Sequence, residues 1–128
     1  MKWIALSLLV TSLACTGPQQ TETVSQRISA TEYKEQHVKD KKAVLVDVRT
    51  PAEFEAGHLE GAKNADFLSG DFAKEMQNWD KNKTYYLYCA SGNRSGKAAK
   101  LMEEAGFKKI YNIGGYSELK TAGLSVKE

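Results

Sequence analysis

The sequence predicts an α/β fold, with a mostly parallel sheet flanked by helices, and three observations predict it. Ala43-Val44-Leu45-Val46-Asp47-Val48 is a nearly continuous apolar run rich in valine, the pattern of a strand buried on both faces. Strand-like runs alternate with helical patterns along the chain, which is the order a parallel sheet requires. Tyr86-Leu87-Tyr88-Cys89 passes through a short polar loop directly into a helical pattern. There Ala98, Leu101, Met102 and Ala105 fall at i, i+3, i+4 and i+7.

Length and composition set the bounds. The chain has 128 residues, enough for one domain. Its 18 basic and 16 acidic residues leave a net charge of +2, and no dense basic cluster stands out, so nucleic acid is not an expected partner. The two cysteines, Cys15 and Cys89, make no disulfide framework. No CxxC or Cys/His cluster points to a metal, and no cofactor is expected. A single domain of this size is expected to be a monomer.

Residues 1–14 place a lysine before an apolar run that ends in small residues, the order of a secretory signal. The run is shorter than the roughly 20 apolar residues of a membrane-spanning helix. Ser12-Leu13-Ala14-Cys15 resembles the lipobox of bacterial lipoproteins, which implies lipidation of Cys15 and a membrane partner through that lipid. Thr16 after the cysteine resembles the pattern sorted to the outer membrane, so the expected location is the periplasmic side of the cell envelope. Ser12-Leu13-Ala14 would equally serve ordinary signal peptidase, leaving a secreted or periplasmic protein. Residues 15–27 are polar, with Gly17-Pro18, and read as a flexible tether to a domain over 28–128.

The domain opens on a helix at about Thr31–Lys39, with Ser29 or Thr31 as its cap. His37 on its polar side reads as solvated. A solvated turn leads to the valine-rich strand, where an ionised Asp47 needs a partner and Arg49 is the nearest in sequence. Thr50 caps a short helix, Pro51–Ala56, with Pro51 at its first position and Glu53 completing a Thr-x-x-Glu capping box. Gly57 ends it, and His58 reads as a histidine whose ring ties down the turn. Over residues 70–79, Phe72, Met76 and Trp79 recur at helical spacing and mark a core stripe. Thr84–Tyr88 is the central strand. The helix after the loop runs to about Ala105, with Gly106 as its terminator. Lys109–Ile113 is the last strand, Gly114-Gly115 a turn and Tyr116–Lys120 a short closing helix, after which the chain frays.

Cys89 carries the chemistry. A cysteine at a strand end, with its loop running into a helix N-terminus, sits where loop N–H groups and the helix dipole favour the thiolate. Arg94 adds a fixed positive charge nearby. In parallel sheets ligands bind beyond the carboxyl ends of the strands, and both Cys89 and Asp47-Val48-Arg49 lie at such ends.

Four stretches in order carry a family resemblance: Asp47-Val48-Arg49-Thr50-Pro51-Ala52-Glu53-Phe54, Gly57-His58-Leu59-Glu60-Gly61-Ala62, Cys89-Ala90-Ser91-Gly92-Asn93-Arg94-Ser95 and Asn112-Ile113-Gly114-Gly115. Together they resemble a single-domain rhodanese, from about Ile28 to Leu124. The sequence departs from the family at Leu119, where tryptophan is frequent, and at Glu60, where proline is common. The resemblance implies the three-layer rhodanese-like fold and a sulfurtransferase that carries sulfane sulfur as a persulfide on Cys89. A donor such as thiosulfate would supply the sulfur, and cyanide or a thiol would accept it. The N–H groups of Ala90, Ser91, Gly92, Asn93, Arg94 and Ser95 would hold the anion, Arg94 would attract the donor's sulfonate, and Ser95 could cap the following helix. Asp47 and Arg49 would support the site. An alternative is a non-catalytic partner-binding module or a dedicated sulfur carrier. Phosphatases and arsenate reductases of the same fold use Cys-x5-Arg; the spacing from Cys89 to Arg94 is Cys-x4-Arg, a smaller cradle that suits one sulfur atom.

Overall fold

The computed structural model describes residues 24–128. The leader over 1–14, the lipidation site at Cys15 and most of the tether lie outside the described residues. Five strands form one sheet in the order β1-β6-β5-β2-β4, all neighbours parallel. They are β1 (Ser25–Arg27), β2 (Val44–Asp47), β4 (Lys63–Asn64), β5 (Thr84–Cys89) and β6 (Lys109–Gly115). Two further strands, β3 (His58–Leu59) and β7 (Val126–Lys127), pair antiparallel as a separate ribbon.

The central strand shows why the sheet is covered on both faces. Every residue of β5 is buried, and its side chains alternate between two cores. Tyr85, Leu87 and Cys89 pack with Val46, Phe72, Met102 and Ile110 under α3 (Asp71–Glu75) and α4 (Asn93–Glu104). Tyr86 and Tyr88 face the other way, into Ile28, Tyr33, Leu59, Ile113 and Leu119, covered by α1 (Ala30–His37) and α5 (Tyr116–Thr121). The arrangement is three layers around a mostly parallel sheet, as expected.

Most local signals hold. Ser29 caps α1 by accepting from the Glu32 N–H at 3.1 Å. Thr50 and Glu53 form the capping box of α2 (Pro51–Ala56), and Gly57 closes it. Gly106, at φ +93°, follows α4 in the left-handed conformation that ends many helices.

Four expectations are corrected. The tether does not reach residue 27: Ser25–Arg27 is an edge strand paired to β6, and its polar side chains hid it because an edge strand needs only its backbone to pair. Gly114-Gly115 is the end of β6 and no turn; the register between β5 and β6 skips one residue, placing Tyr88 opposite Gly114, and Gly114 takes φ +101° to make that bulge. The C-terminus pairs with His58-Leu59, and the Glu60 N–H donates to Ser125 O at 2.9 Å. His37 is only part-exposed, stacked on Tyr33 at 4.7 Å with Nδ1 2.9 Å from the Tyr33 carbonyl. The stripe over 70–79 is core as read, but its helix tightens into a 3-10 turn at Met76–Asn78.

Candidate active site

Parallel pairing brings the carboxyl ends of β1, β2, β5 and β6 to one edge of the sheet. Cys89 ends β5 there, 1% exposed. The next three residues turn the chain into α4, and Gly92 stands at the helix start with φ +96°, a conformation that favours glycine. That turn aims the Gly92 N–H at Cys89 Sγ, 3.0 Å away. The sequence offers Ser95 as a cap, but α4 begins two residues earlier. Ser95 therefore lies within its first turn, fully buried, with Oγ 3.4 Å from Sγ and 2.8 Å from Asn112 Oδ1.

These donors decide the state of the sulfur. Burial pushes the thiol pKa up. The Ser95 hydroxyl and the N–H groups of Ser95, Ser91 and Gly92 act against it and prevail, so the pKa falls below the ordinary thiol value. An anion on Sγ is favoured by donors on one side, with Ala90, Ser91 and Asn93 exposed around it.

Asn112 opens one of the four motifs in the sequence, but its role at the site is not legible there. From β6 it donates Nδ2–H to Gly92 O at 2.9 Å and accepts on Oδ1 from the Ser95 hydroxyl and, at 3.1 Å, from the Gly114 N–H. It ties the loop, the helix and the neighbouring strand together. Gly115 presses against the Ala90 carbonyl, closely enough that a Cβ would collide with it. The sequence hints are its place in that motif and its polar side chain in a mostly buried strand.

Arg94 extends from α4 to Glu53 on α2, with hydrogen bonds of 2.8 and 3.0 Å to the two carboxylate oxygens. Led by that contact and helped by Thr50, the Glu53 pKa is held down to about 2. The Arg94 pKa rises, chiefly through Glu53 and with a smaller contribution from the Cys89 charge. Its positive charge is thus already matched by a carboxylate.

Asp47 and Arg49 meet as the sequence suggested, in a fork with contacts of 2.6 to 3.1 Å, and Arg49 Nη2 also donates to Gly57 O at 2.6 Å. Burial would lower the Arg49 pKa, but the Asp47 hydrogen bonds and charge raise it. Arg49 lies 4.4 Å from the Tyr116 ring centre. Asn64 Nδ2 donates to the Asp47 and Arg49 carbonyls at 3.0 and 2.8 Å. This cluster secures the loop after β2 and makes no hydrogen bond to Cys89. His58 likewise ties down a turn: Nδ1 is 2.8 Å from Phe54 O and the ring stacks on Phe54 at 3.7 Å.

Among the described residues, no group of three or more His, Cys, Asp and Glu side chains is placed to hold a metal ion. The arrangement instead suits nucleophilic chemistry at one sulfur, with a covalent adduct whose charge the loop can hold.

Known proteins share this architecture. The family model of the Rhodanese-like domain matches residues 29–122. Thiosulfate sulfurtransferase PspE of Escherichia coli is 31% identical over 74 residues, 58% of this chain and 71% of PspE. Thiosulfate sulfurtransferase GlpE of Pseudomonas putida is 38% identical over 78 residues, 60% of this chain and 68% of GlpE. The crystal structure of a rhodanese-like domain protein from Staphylococcus aureus matches at a TM-score of 0.67 and 30% identity, over 80% of this chain and 99% of that one. Of other curated relatives the match spans 23% to 58% of the length, so the chain covers less than two thirds of each of them.

Proposed function

The chain belongs to the rhodanese-like domain family, and from that premise we propose that it is a sulfurtransferase carrying sulfane sulfur as a persulfide on Cys89. The observation that carries this reading is the convergence of the Gly92 N–H and the Ser95 hydroxyl on one buried sulfur at the strand end. In the first half-reaction the Cys89 thiolate attacks the outer sulfur of thiosulfate. The S–S bond of the donor breaks, and its electron pair leaves with sulfite. In the second, cyanide or a thiolate attacks the outer sulfur of the persulfide, and Cys89 departs as the thiolate it began as. Splitting the transfer this way is covalent catalysis, and the loop N–H groups that favour the thiolate would also serve the persulfide anion. The Cys-x4-Arg spacing weighs against phosphate as a substrate.

Intact mass spectrometry of the domain starting after Cys15 tests the reading, before and after incubation with thiosulfate. The expected result is a gain of about 32 Da, one sulfur, that cyanide removes and that Cys89→Ser lacks. No gain with thiosulfate, persulfide or polysulfide donors would sink it. A gain that passes only to a protein acceptor would make the chain a dedicated carrier.

We further propose that the protein is exported and anchored in the cell envelope by lipid on Cys15, supported by the Ser12-Leu13-Ala14-Cys15 motif behind an apolar run. Metabolic labelling with palmitate in a bacterial host should mark the wild type and not Cys15→Ala; equal labelling of both would overturn this.

A further inference from the structure

Resting on the sulfurtransferase reading, the structure also bears on how a charged donor is recognised. Two arginines at the active edge are already matched, Arg49 by Asp47 and Arg94 by Glu53. Arg27 is not: no ion pair among the described residues includes it. It is exposed, and it ends β1, opposite Asn112 on β6, so it leaves the sheet at the same edge as Cys89.

Its guanidinium lies over two glycines of the site. A Cβ on Gly92 would collide with Arg27 Nη1 and stand 3.0 Å from its Cζ, and a Cβ on Gly114 would stand 3.2 Å from its Nη2. Glu118 approaches Gly114 as well, 2.9 Å from that same Cβ position, without pairing with Arg27. Because the Gly92 N–H is in turn bonded to Sγ, standard bond lengths bound the distance from Nη1 to Sγ at roughly 8 Å. A dianionic donor fits that span. A near-attack contact takes about 3–3.5 Å, an S–S bond about 2 Å and a charge-assisted hydrogen bond about 2.8 Å; the intervening S–O bond takes the fully extended path past that bound, and the tetrahedral bend at the central sulfur brings both ends back within it. A cleft of about 160 Å³, lined in part by Arg27, Gly96 and Asn112, opens beside it.

We propose that Arg27 is the donor-recognising residue: it binds the sulfonate end of an anionic sulfur donor while the outer sulfur meets Cys89, and it retains sulfite as that sulfite leaves. Arg94, locked to Glu53, then shapes the loop.

Steady-state kinetics of Arg27→Gln with thiosulfate test this. KM should rise about tenfold, with kcat within about twofold, the signature of lost donor binding. Arg27→Lys should recover part of the loss, and Lys81→Gln, before β5 at the opposite edge, should leave KM unchanged as a control for net charge. A second arm needs no turnover. In the Cys89→Ser background, thiosulfate binding is followed by the amide shifts of Gly92 and Gly114, and Arg27→Gln should weaken Kd by the same factor. Unchanged KM with normal turnover, or unchanged Kd, overturns the role of Arg27 and leaves the sulfurtransferase reading intact. Arg27-dependent binding without any sulfur transfer by the native protein would do the reverse.

Discussion

Two loops leave the same edge of the sheet and use polar groups in opposite ways. After β2, Asp47 and Arg49 face each other, and Gly57 O and Asn64 complete the cluster. Its charges are matched internally, and Asp47 and Arg49 are buried. After β5, donors converge on a single sulfur, and the surrounding residues Ala90, Ser91 and Asn93 face solvent. A closed ion pair fixes a chain path; a set of donors around one nucleophile prepares a place for an anion. Charged residues at a sheet edge are therefore not evidence of chemistry until their partners are known.

The sharpest way to break this contrast is a crossed pair of substitutions. Cys89→Ser should abolish sulfur transfer and cost little stability, since the Gly92 N–H and Ser95 hydroxyl can serve an oxygen. Asp47→Asn should do the opposite. It strands the Arg49 charge in a buried setting and should cost about 3–5 kcal/mol in urea unfolding, while transfer per folded molecule persists. A folded Asp47→Asn protein that has lost transfer without losing stability would show the two loops to be one catalytic unit.

A smaller effect sharpens the same point. Ser95→Ala removes one donor from Sγ, so the pKa of Cys89 should move back up and alkylation by iodoacetamide near pH 7 should slow several-fold. The alkylation pH profile checks this; an unmoved profile would leave the backbone N–H groups alone responsible.

The smallest effect belongs to the strut between the loops. Glu53 has its pKa lowered to about 2 in the folded protein, against roughly 4.3 in an unfolded chain. A depressed carboxylate contributes stability above the unfolded value, and that contribution disappears as pH falls from about 4.3 to about 2. The side chains are 20% and 35% exposed, so the gain should stay below about 1 kcal/mol. Glu53→Gln should therefore unfold slightly earlier than the wild type at pH 7 and alongside it near pH 2. A constant gap across that window would assign the difference to something other than the charge.

What could be read from the sequence was what is local along it. The strand, loop and helix around Cys89 are contiguous, so their pattern and the polar loop between them were enough to single out that cysteine. Asp47 and Arg49 are two residues apart, and their pairing followed from the cost of burying a lone charge. The Thr50–Glu53 capping box is likewise a three-residue signal. Asn112 is 20 residues from the Gly92 carbonyl it holds, and Glu53 is 41 residues from Arg94, so neither partnership leaves a periodic trace. Edge strand β1 and terminal strand β7 escaped because so short a strand pairs through its backbone whatever its side chains. Gly114-Gly115 looks like a turn in the sequence because a bulge asks for the same residue type.

The Ser95 hydroxyl has one proton and two acceptors, Cys89 Sγ and Asn112 Oδ1. A charged sulfur takes it, since a charge-assisted bond is the stronger. In the proposed persulfide the negative charge would sit one atom further out, and the neutral inner sulfur would no longer compete with the amide oxygen. The hydroxyl would then turn toward Asn112 and leave the anion to the loop N–H groups, a rotor that would follow the position of the charge from one half-reaction to the next.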